Sequence, residues 1–389
     1  MTHEAEELRI LRVADVPGDQ LGGVALVLAS TSRILTERGH RVDHLFAEDM
    51  PLPGPTALRR LLVPWSLLVH VVRLVRRGEA PDVVEVHEPL GAPYAAIRAL
   101  GLRRRLPPMV AFSHGLEERH WTAQKERWRR LGLRGSLKSR VLVPVTLVAQ
   151  AQLALRLATR VVVLSTEDRE HLVTVRGLQP ARVHRIDNGA DAQMFDVATA
   201  DRSKDETTFL FLGSWLDRKG TPELAQAFTR LAETRAGVRL VVAGAGRNAE
   251  DVLADFPPSV RERVRVLPRV SRDQVADLLA RADVFVLPSW FEGMPLSLLE
   301  ALAAGVPAVA GAVCGVLDVI RPGSPEQDGG LLVRAHDADD LYSALEELAA
   351  DPQLRATLAA RARERGSGFT WARSADALER VYREAAAGG

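Results

Sequence analysis

The sequence predicts an α/β chain made of two doubly wound, parallel-sheet (Rossmann-like) domains facing a cleft. Three observations carry that expectation. Short runs of β-branched and apolar residues recur along the chain with helical stretches between them, the pattern of repeated strand–helix units. Most runs are apolar on both faces rather than alternating, as in residues 161–164 and 284–287, so both faces of each strand need covering by helices. The length of 389 residues exceeds what one core of this kind holds at roughly 150 residues per domain.

In chain order, strands are expected at 9–13, 83–86, 109–112, 161–164 and 183–186 in the first half. The second half supplies 209–212, 238–243, 264–267, 284–287 and 307–310. Between them, Gly22 and Gly23 precede a helical stretch that ends at Gly39, where a left-handed residue can close a helix. Thr221 is placed to cap a helix whose first position is Pro222. Ser271 and Gln274 have the spacing of a capping box. A last helix is expected over 372–387. The polar run 196–207 (Asp-Val-Ala-Thr-Ala-Asp-Arg-Ser-Lys-Asp-Glu-Thr) breaks the apolar rhythm near mid-chain. The expected division is thus a domain over 1–196, a linker over 197–207, a second domain over 208–370, and a final segment 371–389 packing back on the first domain.

Composition removes several classes of function. Apolar residues make up 47% and charged residues 26%, which suits ordinary globular cores. The formal net charge of +1 argues against a nucleic-acid coat. Cys314 stands alone, so neither a disulfide framework nor a cysteine-rich metal site can form, and it reads as a small packed residue. The acidic N-terminal residues lack the layout of a secretion signal. The most apolar stretches, 61–72 and 141–155, fall short of the roughly 18 to 20 residues of a membrane-spanning helix and each contains a proline. A cytoplasmic protein is expected.

Residues 283–310 hold most of the functional information. A buried strand ends at Pro288, a loop carries Glu292 and Gly293, a helix opens near Pro295 and closes at Gly305, and another strand follows. The backbone N–H groups of Gly293, Met294 and Leu296 would lie at a helix start, suited to an anion or to sugar hydroxyls. Glu292 could merely oppose the helix dipole, and Glu300 could be one solvated helix residue. Yet Glu300 lies in an almost wholly apolar helix, where a carboxylate needs a partner or a ligand.

The Glu292-x7-Glu300 spacing is framed by Pro-Ser-x-Phe-Glu-Gly and Glu-Ala-Leu-Ala-Ala-Gly-Val-Pro. It resembles the donor-site signature of family 4 of the nucleotide-sugar glycosyltransferases, retaining enzymes of the GT-B fold. The resemblance implies that Glu292 and the amides after it contact the transferred sugar, and that Glu300 receives the nucleotide ribose. Residues 15–39 resemble the family's glycine loop and helix, with Gly22 and Gly23 near the donor diphosphate. Phe112-Ser-His-Gly resembles its His-Gly turn, which sets His114 beside the sugar. Asn188-Gly-Ala-Asp resembles the turn leading to the second domain. The segment 211–220 resembles the Gly-Arg-x4-Lys-Gly diphosphate motif, with Ser214 where the family often has Arg. Lys219 is kept, and Arg218 is positioned to supply a second positive charge as charge grows on the leaving diphosphate. The match runs from about Leu8 to Tyr382, and base recognition would fall around 268–270.

Weaker signals have plain alternatives. Gly244 and Gly246 fit a dinucleotide-binding turn, but in the resembled family this place is a Gly-x-Gly strand end near the donor, and a nicotinamide site is the minor reading. Asp337-Ala-Asp339 resembles a metal clamp, yet it precedes Leu341, Leu345 and Leu348 at helical spacing, so a helix cap explains it and no metal is implied. His87-Glu88 follows a strand and is expected on the acceptor side. Residues 98–140 carry twelve Arg and Lys against three Glu, interleaved with Trp121 and Trp128. They form either a solvated basic surface or an attachment to an anionic membrane leaflet.

The expected function is retaining transfer of a sugar from a nucleotide diphosphate-sugar to a hydroxyl acceptor, a lipid-linked saccharide or a soluble molecule. Lys219, Glu292 and His114 would act at the reacting centre, without metal or other cofactor and without nucleic acid. The alternative is a non-catalytic nucleotide-sugar binder.

Overall fold

Two six-stranded sheets form, and every strand pair in them is parallel. The computed structural model describes residues 7–18, 22–50, 56–102, 105–197, 206–323 and 325–388. The first sheet contains β1 (Arg9–Val13), β2 (Arg41–Leu45), β3 (Val83–His87), β4 (Met109–Phe112), β5 (Arg160–Val163) and β6 (Val183–Arg185). The second contains β7 (Thr207–Leu212), β8 (Val238–Ala243), β9 (Val264–Leu267), β10 (Val284–Leu287), β11 (Ala308–Gly311) and β12 (Gly330–Val333). Their orders, β2-β1-β3-β4-β5-β6 and β12-β11-β10-β7-β8-β9, are those of doubly wound sheets, in which ligands sit beyond the strands' C-terminal ends.

Ten of these strands coincide with expected runs; β2 and β12 do not. Both are edge strands. β2 reads Arg-Val-Asp-His-Leu with Arg41 and Asp43 exposed, and β12 opens on a glycine, so neither shows the continuous apolar run of a central strand.

The chain divides into two compact units, Met1–Asp187 with Trp371–Gly389, and Asn188–Thr370. The first unit ends before the expected boundary at 196. Residues after Asp187 are tied into the second unit by the Asn188 side chain, which donates to the Met294 carbonyl at 3.1 Å, and by a bridge from Ala190 to Thr370. Most of the expected linker, 198–205, lies outside the described residues. The last helix, Trp371–Ala387, belongs to the first unit. There Asp376 pairs with Arg38 at 2.5 Å, and Tyr382 reaches Glu85.

Local signals mostly act as their chemistry dictates. Gly22 caps the helix Gly23–Glu37, and Gly39 follows it at φ +91°. Ser271 and Gln274 complete their capping box. Asp337 accepts from the amides of Asp339 and Asp340 and caps the helix Ala338–Ala350. Thr221 is not a cap: Gly220, left-handed at φ +71°, takes that place, and Thr221 is the first helical residue.

One apolar helical stretch is longer than the sequence suggests. The helical stretch Ser139–Leu157 has 19 residues of mean hydropathy 1.3 and is by length and composition able to cross a membrane, with 28% of its apolar window buried. Pro144 does not interrupt it, because it opens a π-helical turn in right-handed helical geometry.

Candidate functional site

In the second unit, β10 is buried throughout and delivers the loop that carries Glu292. The Glu292 side chain is 8% exposed, and its Oε1 receives Lys219 Nζ at 2.5 Å and Ser289 Oγ at 2.8 Å. Arg218 Nη1 stands 3.8 Å away. Burial works to raise the Glu292 carboxyl, but Lys219, Arg218 and the donated hydrogen bonds hold it below its ordinary range. It is a carboxylate.

Lys219 is aimed by a single 3₁₀ turn, Asp217–Lys219. Gly220 closes that turn against the strand end, where a Cβ would lie 2.1 Å from the Pro288 carbonyl oxygen. Trp290 staples the two segments, its amide donating to the Arg218 carbonyl at 3.1 Å and its indole to that of Asp217 at 2.8 Å. The turn at Gly244, φ +70°, lies alongside: its Cβ position is 3.8 Å from the Gly213 nitrogen, and that of Gly213 is 4.0 Å from Lys219 Cε.

Glu300 sits on the helix Leu296–Ala303, which Pro295 opens without a side-chain cap. Its Oε1 accepts from Arg272 Nη2 at 2.6 Å, and the same nitrogen is 2.6 Å from Asp191 Oδ2. Burial raises the Glu300 carboxyl against the pull of Arg272. Met294 is buried, with its carbonyl and sulfur held by Asn188, and the Gly293 carbonyl is pressed on Gly315, where a Cβ would fall 1.5 Å from it.

In the first unit, β3 and β4 end side by side, with the Glu88 amide donating to the Phe112 carbonyl at 3.0 Å. His87, expected on the acceptor side, is 1% exposed. It packs on Phe112 at 4.9 Å between ring centres, and its Nδ1 lies 2.7 Å from His114 Nε2. Its Nε2 lies 2.8 Å from Glu85 Oε1. Burial lowers both histidines. Glu88 borders a cavity of about 340 Å³ with Leu116, Glu118, Leu155, Leu172 and Arg176. Both its oxygens are buried, and burial raises its carboxyl well above the ordinary value against the opposing pull of Ser113. Gly22 and Gly23 are exposed at their helix start, and a Cβ on Gly22 would meet open space.

The basic segment is partly neutralised. Arg119 pairs with Asp168 at 2.7 Å and with Glu167, Arg129 and Arg130 share Glu126, and Arg98 is buried. Lys125, Arg134 and Arg140 line an open cavity of about 620 Å³ with Trp121 and Trp128. Arg103 and Arg104 lie outside the described residues, as does the side chain of Lys138.

Two family profiles meet end to end on this chain: Glycosyltransferase Family 4 over residues 21–194 and Glycosyl transferases group 1 over 195–365. The chain belongs to glycosyltransferase family 4. Its two parallel six-stranded sheets are those of the GT-B fold, and the family profiles make it a glycosyltransferase. The D-inositol 3-phosphate glycosyltransferase 1 of Catenulispora acidiphila is 27% identical, over 97% of this chain and 94% of that one. Among solved structures, the sucrose-phosphate synthase of Thermosynechococcus elongatus matches with a TM-score of 0.77 at 20% identity, over 98% of this chain and all 100% of that one. HepE of Anabaena, solved with UDP and glucose, matches at 0.64 and 16% identity, over 96% and 99% of the two chains.

Within this glycosyltransferase the structure brings Arg218, Lys219 and Glu292 together, with Gly244 beside Gly213 at the foot of Lys219. Sequence reasoning missed Arg272, which holds Glu300, because an arginine in a helix's first turn carries no mark of its partner. It also missed Arg12, Glu85 and Tyr382. Their signal was present: Arg12 and Glu85 are charged residues inside otherwise apolar strands.

Proposed function

We propose that this glycosyltransferase moves a sugar from a nucleoside-diphosphate sugar to a hydroxyl acceptor with retention at the anomeric carbon. The Lys219–Glu292 pair carries the reading. A lysine on a rigid turn beside a buried carboxylate suits the junction of diphosphate and sugar, where charge grows on the leaving oxygens. Glu300, anchored by Arg272, would receive ribose hydroxyls, and the amides of Gly293, Met294 and Leu296 the sugar or phosphate.

Glu292 is already engaged by Lys219 and Ser289, which favours a front-face displacement over a covalent glycosyl-enzyme. The acceptor oxygen bonds to the anomeric carbon as the bond to the diphosphate oxygen breaks, and that departing oxygen takes the acceptor proton. In this reading Lys219 and Arg218 supply the charge that a metal would otherwise carry. The single cysteine suits a cytoplasmic setting.

For the acceptor, the inositol phosphate relative supports a soluble phosphorylated polyol. The exposed Val141, Val145 and Leu153, next to the cavity lined by Arg134 and Arg140, favour a second reading, a lipid-linked acceptor at an anionic membrane. Thermal unfolding with UDP, GDP, ADP and NAD tests the donor. One diphosphate should raise the midpoint in the wild type and not in Glu300→Ala, as mass action requires. A response to NAD alone would overturn the reading. Transfer to inositol phosphate, compared with transfer to lipid extract in vesicles, decides the acceptor.

A further inference from the structure

Behind His114 in the first unit runs a buried hydrogen-bonded file that begins at Arg12 and ends at the His114 ring. Arg12 is 0% exposed, and its Nη1 donates to the Leu28 carbonyl at 3.0 Å, Thr31 Oγ1 at 2.7 Å and Ser32 Oγ at 2.8 Å. Its Nε donates to Glu85 Oε1 at 2.7 Å. The Tyr382 hydroxyl, brought in by the last helix, donates to Glu85 Oε2 at 2.5 Å. Burial alone would protonate Glu85, but Arg12 together with donors from His87 and Tyr382 holds it ionised.

The protons along this file are then determined by elimination. An ionised carboxylate only accepts, so His87 Nε2, 2.8 Å from Glu85, carries a hydrogen. Burial lowers His87 and keeps it neutral, so its Nδ1 holds a lone pair. His114 Nε2, 2.7 Å from that lone pair, must therefore donate. His114 is neutral as well, lowered by burial and by His87, which leaves its Nδ1 with a lone pair.

We propose that Glu85 and His87 are positioning residues that lock His114 as the Nε2–H tautomer, so that His114 accepts a hydrogen bond from a ligand hydroxyl and does not donate to a phosphate oxygen. The assignment deepens the proposed function and rests on it for the identity of the ligand. It also argues against His114 as a general base. A proton taken at Nδ1 would place a cation in a site where burial, the neighbouring His87 and the more distant Arg12 all disfavour it, with Glu85 already committed to Arg12 and Tyr382. Charged and titratable groups face the file from β1 (Arg12), β2 (His44), β3 (Glu85) and the last helix (Tyr382).

Nitrogen-15 NMR of histidine-labelled full-length protein reads the tautomers without any substrate. The wild type should show His114 protonated at Nε2 and bare at Nδ1. His87→Phe keeps the flat ring against Phe112 and removes both of its hydrogen bonds. It should release His114 to a mixture of tautomers, and should lower kcat by about a hundredfold, as a misaligned contact does, with nucleoside diphosphate affinity unchanged. Glu85→Gln is the second variant and should disturb the same His114 signal. A wild-type His114 protonated at Nδ1 would overturn the assignment, as would a His87→Phe variant with unchanged tautomer and turnover. If no sugar transfer is found for the wild type, the proposed function fails while the NMR result still decides the tautomer.

Discussion

Arg12 on β1 and Glu85 on β3 are register partners in the first sheet, both 0% exposed, with Arg12 Nε 2.7 Å from Glu85 Oε1. A charged pair at the centre of a parallel sheet is costly to desolvate, and its main effect is felt when one member is removed. Arg12→Met should therefore cost about 3 to 5 kcal/mol by leaving Glu85 unpaired. The double replacement Arg12→Met with Glu85→Leu should cost clearly less. Urea unfolding of the two singles and the double gives the coupling; equal costs for single and double would show that the pair is not the unit.

Lys219→Ala should lower kcat by about a hundredfold or more, the scale of a lost charge-stabilising donor. Arg218→Ala should cost less, because its Nη1 is 3.8 Å from Glu292 against 2.5 Å for Lys219. Steady-state kinetics with the donor identified by thermal shift would check the order, and an Arg218 effect larger than that of Lys219 would reverse the roles.

Arg272→Ala should reproduce part of the Glu300→Ala phenotype. Arg272 is the cation that holds the Glu300 carboxylate and Asp191 at 2.6 Å each. Losing a charge-assisted bond of this kind costs about 1.5 to 3 kcal/mol, or about one to two powers of ten in nucleotide affinity. Calorimetric titration with the matching nucleoside diphosphate measures it.

Glu88→Gln should change the pH dependence of stability with a defined sign. The folded carboxyl is raised above its ordinary 4.5, so above that pH the native state holds a proton that the unfolded state has released. Stability from this group is present below about pH 4.5 and is lost as pH rises toward the folded value. Glutamine does not titrate, so the variant should gain on the wild type steadily as pH rises above about 4.5 toward the folded value. Parallel curves in chemical denaturation above about pH 4.5 would contradict the burial of this acid.

Gly315→Ala should destabilise the second unit by about 3 kcal/mol, since its Cβ would meet the Gly293 carbonyl oxygen at 1.5 Å. The strain falls on the loop that carries Glu292. Donor affinity should drop even in molecules that remain folded, a loss that ligand titration below the unfolding transition would show.

Much of the molecule was legible because its signals are local. Ten strands announced themselves as runs rich in β-branched and apolar residues, while the edge strands β2 and β12, half solvated, lacked that mark. Asp337 read as a cap because two amides lie within three residues of it. The Glu292-x7-Glu300 spacing survived because strand, loop and helix are contiguous. Pro144, in contrast, read as a break in the apolar stretch, yet a π-helical turn absorbs it.

By itself the sequence determined the two parallel α/β sheets and the family, and it singled out Lys219, Glu292, Glu300 and His114 as candidates, since apolar runs, caps and contiguous motifs are properties of neighbours along the chain. Only the tertiary structure decided which buried charges meet: Arg272 with Glu300, Arg12 with Glu85, and Tyr382 with the same glutamate from almost three hundred residues away. The physical reason is that a charge in an apolar strand or helix announces only that a partner must exist. Which residue fills that need depends on sheet register and helix packing, which no local pattern encodes.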